Sequence, residues 1–110
     1  MKQLKRSQCS ILPLVLKGKW YDMIASGKKR EEYRADTPYW HRRFSNWIEN
    51  LPVDGHLVIA FSRGYHKPDL FIEACGMNIY RNRLHPDWGE PIGSHYVIAL
   101  KRRLRLIDDP

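Results

Sequence analysis

Residues 27–34 read Gly-Lys-Lys-Arg-Glu-Glu-Tyr-Arg and concentrate the side chains best suited to chemistry. An ammonium at Lys29 can meet an oxyanion, a carboxylate at Glu32 can accept a proton, and a guanidinium at Arg34 can grip a carboxylate or phosphate. In an extended segment alternate side chains share a face, so Glu32 and Arg34 can pair, and Lys29 at the corner leans over the same side. Such a trio suits a polar, partly anionic ligand. The competing account of any charge run is a solvated surface, so the elements around it decide.

Trp20, Met23 and Ile24 fall on one face of a short helix over 19–26, and Gly27 supplies the left-handed conformation that ends it. Before it, Ile11 to Lys17 reads as a strand with Pro13 near its start; after it, Lys28 to Ala35 reads as a second. Asp36-Thr37-Pro38 signals a capped helix start. The helix that follows spaces Trp40, Phe44, Trp47, Ile48 and Leu51 as one apolar stripe, which predicts packing across an opening of a sheet or barrel. Strands are predicted over 56–63, 69–80 and 96–107, with Gly76 marking a bulge or corner and an irregular loop over 81–93. The order β-α-β-α-β-β-β implies an α+β fold, a small barrel of about five strands with two helices.

Glu73 is the second chemical feature. It stands among Leu70, Phe71, Ile72, Ala74 and Cys75, where a carboxylate is either paired or faces a pocket. Desolvation there is expected to raise its pKa, and a Lys29–Glu73 couple across a cleft makes an acid/base pair. Pairing with a cation of a neighbouring strand is the alternative. Arg63, Tyr65 and Lys67 lie in a short basic loop of the kind found at the mouth of a site; Tyr39 is a second candidate for stacking on a base. Residues 85–89 are a candidate lid or a packed loop. The five histidines lack metal-site spacing, and no Gly-rich phosphate loop or nucleophile elbow occurs, so neither a metal nor a cofactor is expected.

The 110 residues fit one domain, 11–110, behind a loose basic arm, 1–10. Nineteen Lys and Arg against 12 acids leave +7, which favours polyanionic partners: RNA, DNA or nucleotides. Cys9 and Cys75 show no paired spacing and no apolar run reaches membrane length, so a reducing cytoplasm without membrane association is the expected setting.

Gly27, Lys29, Glu32 and Arg34 fill the pattern Gly-x-Lys-x-x-Glu-x-Arg, which resembles the signature of the ASCH domain family, within the PUA-like superfamily. Leu14 to Lys17 resembles its first strand, Trp20, Ile24 and Gly27 its helix, and Tyr96 to Leu100 a later strand. The resemblance implies a PUA-like barrel that binds RNA or a nucleotide-type ligand. Some relatives cleave RNA, and some hydrolyse acetylcytidine nucleosides with a Lys, a Thr and a distant Glu. Lys29 matches the Lys and Glu73 the distant Glu, but Glu32 stands where the Thr belongs, and a carboxylate lacks the hydroxyl's donor. Three readings follow: a binding module with Lys29, Arg34, Arg63, Tyr65, Lys67 and Tyr39 about the ligand; a hydrolase using Lys29, Glu32 and Glu73; and a protein-interaction module acting through the 37–51 helix. The first two place Lys29, Glu32 and Glu73 in one hollow.

Overall fold

Leu12, Leu14 and Leu16 alternate along β2 (Cys9–Leu16), so one face of that strand turns inward and begins the core. A computed structural model describes residues 1–109. The chain continues through α1 (Gly18–Ala25), β3 (Glu31–Ala35), α2 (Pro38–Glu49), β4 (His56–Arg63), β5 (Leu70–Tyr80) and β6 (His95–Ile107). Residues 1–10, expected as a loose arm, instead contain β1 (Lys2–Lys5), a 3-10 turn and the start of β2. Strand β1 lies parallel to the end of β6, with Lys2 opposite Leu104 and Lys5 opposite Ile107. Leu4 anchors it, buried against Val58 and Leu104.

Strand β2 runs parallel to β4; β4 pairs antiparallel with β5, and β5 with β6. The other edge of β6 is shared between β3, antiparallel over residues 95–99, and β1. The result is a six-stranded mixed sheet in an α+β fold, and the expected barrel does not close by backbone pairing. β2 and β3 end the arc β2-β4-β5-β6-β3 and do not pair with each other. Side chains reach the free edge of β2 instead, Arg34 from β3 and Arg43 from the helix over Pro38–Glu49. Arg34 Nη2 donates to the Val15 carbonyl at 3.1 Å, and Arg43 Nη2 donates to the Pro13 carbonyl at 3.1 Å. These carbonyls lie along a strand edge left without a backbone partner, and the guanidinia occupy it.

Helix α2 starts as its sequence requires: Pro38 is in the first turn and Thr37 Oγ1 accepts from the Trp40 N–H. Phe44 and Trp47 are buried with Leu12, Ile59, Phe61, Ile72, Tyr96 and Ile98, and Trp40 packs at the margin. The expected stripe is shorter than drawn, because Ile48 and Leu51 are 46% and 40% exposed beyond the sheet.

Candidate functional site

Gly27 takes φ +82° and ends α1, and the Lys29 N–H returns to the Met23 carbonyl at 2.9 Å. This closure fixes Lys29 at the helix–strand corner. Its ammonium then enters the gap between the end of β2 and β3, where it is 3% exposed. Lys29 Nζ donates to the Trp88 carbonyl at 2.6 Å, stands 3.4 Å from Glu32 Oε1, and lies 4.9 and 4.7 Å from the Trp20 and Tyr33 ring centres. Glu32 is equally buried. One of its oxygens accepts the Tyr33 N–H at 2.8 Å and the other accepts Arg34 Nη2 at 3.0 Å, the pair expected from strand alternation. Arg34 lies over the Trp40 ring at 5.0 Å, and its Nε is buried without a hydrogen-bond partner among the described residues.

These groups line a cleft of about 230 Å³ with Val15, Lys17 and Gly89. The 85–89 segment forms its rim: Gly89, at φ +81°, brings backbone so close to Trp20 that a Cβ there would lie 2.7 Å from the ring. His85 stacks on Trp88 at 4.1 Å. Buried Glu90 anchors the segment, accepting the N–H groups of Leu84 and His85 and meeting His95 Nε2 at 2.7 Å. Burial lowers the Lys29 pKa, and the neighbouring Glu32 carboxylate opposes that shift. Burial and then the Glu31 carboxylate, which accepts from its hydroxyl, push the Tyr33 phenol far up, so it stays protonated.

Glu73 lies elsewhere. Ile72 faces the main core, so strand alternation turns Glu73 to the opposite face of β5. There it accepts Arg102 Nε at 2.7 Å and meets His56 Nδ1 at 2.6 Å. Burial alone would raise its pKa, but the His56 and Arg102 hydrogen bonds outweigh it and the pKa is lowered, not raised as expected. The Lys29–Glu73 couple is not formed: the hollow holds Lys29 and Glu32 without Glu73.

Arg63 ends β4 and pairs with Asp22 of α1 at 3.3 Å, outside the cleft lining. Tyr65 is fully exposed and Lys67 exposed in the following loop. Tyr39 is half-exposed on α2, accepting from Arg43 Nη1 at 3.4 Å. Sequence reasoning placed Trp20 on the helix face but not in the site. It also read Trp40 as packing, yet that ring lies under both Arg34 and Arg43.

Neither a protein-family model nor a curated protein matches this chain. Among solved structures, the fold is similar to a crystal structure of mutant ZmASCH from Zymomonas mobilis. The likeness has a TM-score of 0.54 at 15% identity, covering 86% of this chain and 70% of that one. The chain therefore has an ASCH-like fold.

Proposed function

We propose that the cleft between β2 and β3 binds a nucleotide-type ligand, free or within single-stranded RNA. The carrying observation is Arg34 in the cleft wall, whose buried guanidinium Nε has no hydrogen-bond partner among the described residues. Buried polar groups are nearly always satisfied, so an orphan donor marks where a ligand acceptor belongs. Both Glu32 oxygens are already engaged, which leaves donors as the cleft's offer, and base carbonyls and phosphates are acceptors. Aromatic rings at Trp20, Tyr33 and Trp40 border these donors, and the net charge of +7 draws polyanions toward them.

Isothermal titration with the four ribonucleoside monophosphates, beside wild-type and Arg34→Lys protein, tests this. The lysine keeps the charge but has no Nε, so affinity is expected to fall at least about tenfold. Saturable binding that ignores this substitution, or none at millimolar nucleotide, would overturn the reading.

The lowered pKa of Lys29 supports a second reading, hydrolysis, since it leaves more of the amine unprotonated and free to take a proton. It has to proceed with Lys29 and Glu32 alone. Incubation with acetylcytidine and with labelled RNA, beside Lys29→Met, decides it: product from the wild type and none from the variant supports turnover, and no product from either substrate removes it.

A further inference from the structure

A second concavity, of about 420 Å³, opens between the α1–β3 connection and β6. Its floor is apolar, built from Ile24, Ala25, Ile72 and Leu100, and its rim carries Arg30, Lys101 and Arg103. Arg30 comes from the α1–β3 connection, and Arg103 arrives through a break in strand alternation. On β6, Tyr96, Ile98 and Leu100 face the main core, which would turn Arg103 away from it. The β5–β6 register skips Lys101, however: Glu73 pairs with Arg102 and Ala74 with Leu100. This bulge reverses the faces beyond it and places Arg103 opposite Ile72, on the core side at the mouth of the sheet. Such re-aiming is the ordinary effect of a bulge, here used to put cations where the pattern calls for apolar groups.

Among the described residues four guanidinia have carboxylate partners, Arg6 with Asp108, Arg34 with Glu32, Arg63 with Asp22 and Arg102 with Glu73, and Arg42, Arg43, Arg81, Arg83 and Arg105 have none. Arg30, Lys101 and Arg103 are exposed and have no carboxylate within 4 Å among the described residues, although they share one concavity. An external anion held between them would relieve their mutual repulsion. The backbone of Lys29 joins this concavity to the nucleotide cleft, since residue 29 lines both.

We infer that the Arg30–Lys101–Arg103 groove is a phosphodiester-binding track, carrying the backbone of a single strand whose nucleotide occupies the cleft. The inference rests on the proposed function for the nucleotide seated in the cleft. Arg and Lys meet phosphates as charges, and each contact releases condensed counterions, so binding through the groove must weaken as salt rises. The apolar floor suits the sugar and base faces that accompany a backbone.

Anisotropy of a fluorescein-labelled decauridylate, titrated from 50 to 200 mM KCl, tests the groove. Each phosphate contact on a single strand contributes about 0.7 to the slope of log K against log salt, so Lys101→Gln/Arg103→Gln should flatten the slope by about 1.4. Arg42→Gln/Arg81→Gln, which removes the same charge from exposed positions away from the groove, should change it by less than half as much. Equal changes in the two double variants, or no decauridylate binding at 50 mM, would overturn the groove. Monophosphate titration separates the two proposals. Loss of monophosphate binding in Arg34→Lys with the decauridylate slope intact supports the cleft alone, and the reverse pattern supports the groove alone.

Discussion

Lys29 and Glu32 are each nearly sealed from water; among the described residues Glu32 is the one carboxylate paired with Lys29, whereas Glu32 also holds Arg34. Removing one partner of a buried pair strands the other, at a cost of about 3 kcal/mol. Glu32→Gln, which strands Lys29, should therefore lower urea-unfolding stability by about that much, and adding Lys29→Met should recover part of the loss; strictly additive losses would show that the two groups do not interact. Glu73 makes a different prediction. Its folded pKa lies below the ordinary 4.5, so its pairing stabilises the fold above the unfolded-state pKa and that contribution is lost as pH falls through the folded value. Glu73→Gln should be less stable than wild type at pH 7, with the gap closing toward pH 3 in chemical unfolding; a gap constant with pH would sink the assignment. The Lys29–Glu32–Arg34 cluster was legible in the sequence because its spacing is local: one turn-ending glycine and two-residue alternation place all three. Glu73 was not, because its face depends on which of Ile72 and Glu73 turns inward, and a one-residue difference reverses the answer.

The segment over 85–90 shows what elements add to residues. Its contribution to the cleft is a backbone carbonyl, that of Trp88, and carbonyls leave no mark on sequence. What is visible is Gly89, whose conformation and approach to Trp20 exclude a side chain. Gly89→Ala should cost about 1–3 kcal/mol through strain at positive φ, and the Trp20 contact adds to it. Hydrogen exchange should localise the damage to residues 84–90, where Glu90 accepts the N–H groups of Leu84 and His85; unchanged exchange there would mean the loop tolerates the methyl group. Helix α2 was legible at Thr37, Pro38, Phe44 and Trp47 because cap and period agree. Its last turn was not, since where a helix outruns the sheet beneath it is set by packing geometry. The β6 bulge escaped for a related reason: alternation reads Leu100, Leu104 and Leu106 as one face, while the register shift at Lys101 moves Leu104 into a second cluster with Leu4 and Val58.

At the scale of the whole molecule, the first and last strands join chain ends about a hundred residues apart, a pairing that no local pattern announces. In Lys-Gln-Leu-Lys the single apolar residue gave no reason to expect a strand. Leu4→Ala distinguishes the two cases: a docked strand should lose about 2–4 kcal/mol on unfolding, whereas a loose arm would lose within about 0.5. The same scale governs the seam. Because β3 reaches β2 through the Arg34 side chain and α2 reaches it through Arg43, closure is a side-chain matter and should be separable from the rest of the sheet. Arg34→Ala/Arg43→Ala should accelerate amide exchange in β2 and β3 about tenfold more than in β4 and β5, the consequence of losing hydrogen bonds worth about 1 kcal/mol each at one boundary. The cleft lies in this seam, so a ligand that bridges β2 and β3 should restore protection there in the wild type and not in the double variant. Uniform acceleration across all four strands would mean instead that the guanidinia support the fold as a whole and that the gap has no independent motion for a ligand to close.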